Sequence, residues 1–197
     1  TINYITKNFA MTFCRVNVIA ATAVMLLVCL IAEAQVPTYN NGPVNTTLGG
    51  NTIPLSFSTL PTKSQLLFPS GASFGNPAPG QMITTIYFPA YTSIVPVTTT
   101  YTNFTVKMAN TSLTTLSGTW ETTGMVTVLS APSLVLNPQA SLWTAINLTT
   151  PFPYDPSQNL IVEFEFCAIS QASVWYWATG TAPAQPLVPR QYAQGSC

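Results

Sequence analysis

The chain of 197 residues is 47% hydrophobic but only 5% charged, with five basic and five acidic side chains, no histidine and a formal net charge of zero. A typical domain carries about 25% charged residues, so solubility here rests on Thr, Ser, Asn and Gln. This balance excludes the Lys/Arg stripe that a nucleic-acid surface requires, and the lack of histidine removes every Ser-His-Asp or Cys-His pair from consideration.

The first thirty-four residues differ from the rest. Lys7 and Arg15 precede the apolar run "VNVIAATAVMLLVCLI", and "AEA" at Ala32 to Ala34 has the small-x-small form of a signal peptidase site. The pattern predicts a helical secretory signal over residues 1–34, with cleavage after Ala34. Met11 offers an alternative start, which would leave residues 1–10 upstream of it. The apolar run is short for a membrane span and no basic stop-transfer cluster follows it, so no membrane attachment is expected after cleavage. Cys29 lacks the small preceding residue of a lipidation site.

Residues 35–50, rich in Pro, Gly and Asn, read as an irregular lead-in. From residue 51 to 197 the pattern is strand, turn, strand. "TIPLSF" and "SQLLF" are short apolar runs. Pro79 and Gly80 mark a turn before the β-branched and aromatic run "MITTIYF". "NFTVKM" alternates, with Phe104, Val106 and Met108 on one face and Thr105 and Lys107 on the other. "MVTVL" and "WTAINL" are expected as strands separated by Pro132 and the turn "NPQAS". "LIVEFEF" is the strongest strand, with Val162, Phe164 and Phe166 facing in and Glu163 and Glu165 facing water. "VWYWA" follows, and an edge strand is expected around residues 191–193. No window after residue 35 sustains a 3.6-residue period. The expected fold class is all-β, antiparallel, a β-sandwich or barrel in one domain.

Three of the four acids after residue 35 sit in "YDPSQNLIVEFEF". Glu163 and Glu165 share a strand face, about 7 Å apart along it. A glycosidase pair needs two carboxylates facing each other across a cleft, so these two read as a solvated face, with Lys107 as a surface partner. Asp155, in a Pro-containing turn, is expected to bond its own backbone. As the one candidate calcium ligand it would need several further oxygens. No metal, cofactor or catalytic residue is expected. Trp175 and Trp177 share one face of "VWYWA" with Tyr176 opposite. They are core aromatics or, alternatively, a sugar-stacking platform. Trp120 and Trp143 read as structural. Cys167 and Cys197 remain after signal cleavage, in a compartment where disulfides persist. They pair with each other, or Cys197 pairs beyond the chain. Sequons occur at Asn45, Asn103, Asn110 and Asn147, and the last lies within a strand pattern.

Several stretches in order, "IPLSFSTLPTKSQLLFPS", "GQMITTIYFPA", "YTNFTVKMANTSLTTLSGTWETTGMVTV", "LWTAINLTTPFPYDPSQNLIVEFEF" and "RQYAQGSC", resemble one module. It is the N-terminal β-sandwich module of large surface proteins of the Bacteroidota, secreted by the type IX route. The likeness spans residues 51–197. It includes the Ser64–Gln65 step, the strand entry from Gly80 to Thr84 with Met82 inserted, and the aromatic–Gly–Cys close from Tyr192 to Cys197. Glu165 departs from the single Glu expected at Glu163. The resemblance implies an extracellular jelly-roll-like domain, truncated where fibronectin-like or PKD-like repeats and a sorting domain would follow. It supplies no catalytic residues. The expected function is a non-catalytic adhesive or structural module of a larger secreted or cell-surface protein, with extracellular glycans, surface proteins or its own downstream domains as partners. The alternatives are a carbohydrate-binding module built on Trp175, Tyr176 and Trp177, or an accessory domain of a secreted hydrolase.

Overall fold

The computed structural model describes residues 55, 59–70, 77–89, 97–139, 142–170, 190–195 and 197. They carry eight strands and no helix: β1 (Thr62–Phe68), β2 (Met82–Pro89), β3 (Thr99–Thr111), β4 (Val126–Leu136), β5 (Trp143–Pro153), β6 (Asn159–Phe166), β7 (Ala168–Ile169) and β8 (Arg190–Gln194). The signal segment, the lead-in, "VWYWA" and all of "TIPLSF" except Leu55 lie outside the described residues. Among the described residues no helix is long and apolar enough to cross a membrane.

All strand pairs are antiparallel. The larger sheet runs β4-β3-β6-β1-β8, with β7 also on β3, and the smaller sheet is β2-β5. Period-two alternation places Phe104, Val106 and Met108 of β3 beside Val162, Phe164 and Phe166 of β6 on one face of the larger sheet. Ile83, Ile86 and Phe88 of β2 and Ile146 and Phe152 of β5 join the same apolar cluster. The Phe88 and Phe164 rings meet edge to face at 5.5 Å, and Tyr101 stands edge-on to Phe166 at 5.0 Å. Burial without a charged partner pushes the Tyr101 phenol well above its ordinary range.

Two details show how local chemistry serves the sheets. Pro79 and Gly80 make the turn before β2: Gln81 N donates to Ala78 O at 3.3 Å, and Gly80 takes φ +81°, a conformation that needs no Cβ. Pro132 does not end a strand as expected. Instead β4 runs through it from Val126 to Leu136. β4 is an edge strand, and the β3–β4 ladder skips from Thr102↔Ser133 to Phe104↔Ala131. Proline's missing N–H costs nothing there. Opposite the gap, Asn103 adopts φ +52°. This irregularity lets Tyr101 and Phe104 both face the core although they are three residues apart.

Cys167, just past β6, is joined to Cys197 by a disulfide, with Cα atoms 5.4 Å apart. The bond reaches from the middle of the sheet to the end of the edge strand β8, which does lie where an edge strand was expected.

Candidate functional site

The second face of the larger sheet carries the ionisable residues. Strand register sets them in rows. Lys107 of β3 faces Glu163 of β6, Glu163 faces Gln65 of β1, and Gln65 faces Gln191 of β8. Two residues along, Thr105, Glu165, Lys63 and Ala193 form the next row. On the other side of the Glu163 row, Ala109, Ile161 and Leu67 form an apolar row that is fully buried although it points away from the main core.

The connection between β3 and β4 lies over this face. Residues 112–125 cross this face and are pinned to it at several points. Asn159 Nδ2 donates to Leu113 O at 2.6 Å. Gln191 Nε2 donates to Thr119 O at 3.0 Å. Lys63 Nζ sits 5.1 Å from the centre of the Trp120 ring, a cation–π contact. The tightest anchor is the side-chain amide of Gln65. Its Oε1 accepts from Glu121 N at 3.0 Å and its Nε2 donates to Glu121 O at 2.7 Å. Gln65 thus satisfies both backbone groups of Glu121, as a neighbouring strand would. Beyond it, Glu121 Oε1 accepts from the N–H groups of Thr122 and Thr123 at 2.9 and 2.6 Å; its carboxyl pKa is lowered, first by the Thr123 side-chain hydroxyl and then by these backbone bonds.

Under this cover lies Glu163, which was expected to face water. Its side chain is 3% exposed. The alternation is as expected, and Glu163 does point away from Phe164. Solvation of that face is the part that fails, because the covering connection excludes water from it. The carboxylate is compensated in full. Oε1 accepts from Lys107 Nζ at 2.9 Å, and Oε2 accepts from Gln65 Nε2 at 2.7 Å and pairs with Lys63 Nζ at 3.1 Å. Lys107 also lies 3.8 Å from Glu165 Oε2, and Glu165 is a third exposed. The hydrogen bond to Glu163 raises the Lys107 pKa above its ordinary value, against the smaller opposing effect of its own desolvation. Two lysines and two glutamates make a neutral patch.

Chemically, this arrangement fixes structure. Both oxygens of Glu163 already accept from donors, Oε1 from Lys107 and Oε2 from Gln65 and Lys63. Lys107 is held protonated and is no nucleophile near neutral pH. Glu163 and Glu165 lie two residues apart along one strand rather than opposite each other. Asp155 serves its own turn: Oδ1 accepts from Ser157 N at 2.9 Å and Ser157 Oγ at 2.7 Å, and Oδ2 accepts from Gln158 Nε2 at 2.9 Å. The Ser157 bonds, foremost, lower its pKa. No group of three or more metal-ligating side chains occurs among the described residues.

Of the other candidate residues, Trp175, Tyr176 and Trp177 lie outside the described residues. Trp143 begins β5, half-buried, opposite Pro89. Asn110 is committed at both ends, donating to Pro153 O at 2.9 Å and accepting from Asp155 N at 3.1 Å. Asn147 accepts from Thr85 Oγ1 at 3.1 Å across the β2–β5 pair. Sequence reasoning missed Gln65 as an anchor and Trp120 and Glu121 as cover. Gln65 stands within the Ser64–Gln65 step, but nothing local tells that it will face Glu163.

No family model, curated protein or solved structure matches this chain.

Proposed function

We propose that the chain is a non-catalytic extracellular module of a larger secreted or cell-surface protein, with an adhesive or architectural role. The observation that carries this reading is the fate of the acids. Glu163 is consumed in tying a covering loop to a sheet, and Asp155 and Glu121 in holding their own turns. Among the described residues, these three acids serve shape. The signal-like residues 1–34, the low charge and the resemblance to surface modules of type IX-secreted Bacteroidota proteins favour the same reading. In this reading the two sheets, which share one apolar cluster, form a jelly-roll-like β-sandwich.

The test is binding by the secreted protein to host-matrix proteins, bacterial surface preparations, a glycan array and insoluble polysaccharides, with ester, glycoside and peptide substrates assayed alongside. Saturable binding to a protein surface with no turnover supports adhesion. Binding to a glycan that is lost in Trp175→Ala or Trp177→Ala, with folding intact, replaces this reading with a carbohydrate-binding module. Turnover that survives repurification overturns the non-catalytic assignment.

A further inference from the structure

Strand β8 is held by something other than apolar burial. Its side chains from Tyr192 to Gln194 are exposed, Tyr192 at 57%, and Gln191 is half-buried. Among the described residues, what attaches it is polar and covalent. Its backbone pairs with β1 from Thr62↔Gln194 to Leu66↔Arg190. Gln191 Nε2 donates to Gln65 Oε1 at 2.8 Å, and Gly195 N donates to Pro61 O at 3.0 Å. Gly195 then takes φ +111°, which turns the chain out of the strand toward the disulfide between Cys197 and Cys167. Among the described residues β8 is a short edge strand without buried apolar anchors, and such a strand belongs to the least stable part of a fold. Cys167, by contrast, is fixed in the sheet: its N–H donates to Thr102 O at 2.9 Å, next to the fully buried Phe166.

We propose that the Cys167–Cys197 disulfide is a redox latch: it holds β8 on β1, and its reduction frees β8 while the rest of the sheet stays folded. The reductant is a dithiol. Its first thiolate attacks the Sγ of Cys197, which is exposed, and forms a mixed disulfide. The bond to Cys167 breaks, and Cys167 leaves as a thiolate and takes a proton. The second thiol of the reductant closes on the mixed disulfide, releasing Cys197, which also takes a proton. Two electrons pass to the protein, and the reductant leaves as its own disulfide. With β8 gone, the Thr62–Leu66 stretch of β1 becomes a sheet edge, and Gln65 loses Gln191 but keeps Glu121 and Glu163. The core cluster contains no residue of β8, so its packing survives.

The experiment is hydrogen–deuterium exchange on the full secreted chain, oxidised and after dithiothreitol with alkylation of both thiols confirmed by mass. Exchange at Arg190–Gln194 is expected to accelerate by about tenfold or more, with faster exchange in β1 and no change in β3 and β6. Cys197→Ser is expected to reproduce this pattern without reductant. Unchanged exchange in β8 after complete alkylation overturns the latch. So does loss of protection in β3 and β6 together with β8, or failure of Cys197→Ser to yield folded protein, because either makes the bond a global staple.

Discussion

Gln65 Nε2 donates to Glu163 Oε2 at 2.7 Å, from directly paired positions on β1 and β6. The same amide group holds the backbone of Glu121, so one side chain joins a buried charge to the loop that buries it. Removing Glu163's charge is therefore not neutral, as a solvated site would be. Glu163→Gln keeps the shape but takes the counter-charge from Lys63 and leaves Lys107 only Glu165 at 3.8 Å. A fully buried pair broken this way loses about 3–5 kcal/mol. Both lysines are about a quarter to a third exposed and recover some hydration, so a loss of about 1–3 kcal/mol is expected in urea unfolding. A change below about 0.5 kcal/mol, the surface norm, would refute the buried role.

Gln65→Glu tests the anchor separately. It sets a second carboxylate against Glu163 and removes the donor to Glu121 O. The variant should be less stable than Gln65→Ala at neutral pH and should recover relative to it on acidification, as the introduced carboxylate takes up a proton. Equal stability of both variants across the acid range would contradict the contact.

Ser64, next to Gln65, faces the other way. It is fully buried, and its Oγ lacks a hydrogen-bond partner among the described residues. A buried hydroxyl without a partner is a desolvation cost with no return. Ser64→Ala should be neutral or stabilising by up to about 1 kcal/mol. A clear loss of stability by thermal or urea unfolding would show that the hydroxyl has a partner.

Phe164 sits between Phe88 at 5.5 Å and Phe104 at 6.4 Å and is 2% exposed. Phe164→Ala opens a cavity where both sheets meet and should cost about 3–5 kcal/mol, read as a shift in urea midpoint at unchanged slope.

Stability should fall at both ends of the pH scale. Asp155 and Glu121 have lowered folded-state pKa values, caused first by their bonds to Ser157 and Thr123. Their contribution is present above the ordinary carboxylate range and is lost as pH falls through the folded values. Lys107 has a raised pKa, owed first to Glu163, and its contribution is present below the ordinary lysine range and lost as pH rises through the folded value. The buried Tyr101 phenol, raised by desolvation, adds to the alkaline loss. Urea midpoints should form a plateau from about pH 5 to about pH 9, and Asp155→Asn should shrink the acid limb. A midpoint that still rises toward about pH 3 would contradict the carboxylate assignments.

Much of the larger sheet is legible in the sequence because period-two alternation is a local property. Phe104, Val106 and Met108, with Val162, Phe164 and Phe166, declare a buried face within a few residues of chain. The turn at Pro79 and Gly80 and the turn bonds of Asp155 are equally local. Pro132 misled because its meaning depends on which strand lies at the edge, and that order is set by pairing across the chain.

The sequence by itself determined that the chain is rich in antiparallel-type strands, which side of each strand is apolar, and that Cys167 and Cys197 were available to each other. Only the tertiary structure decided that the polar side of β6 is buried. Glu163 lies 98 residues from Gln65 and 56 from Lys107, yet all three meet. A side chain's direction follows from its neighbours in sequence, but its solvation follows from whatever distant segment lies over it, here residues 112–125.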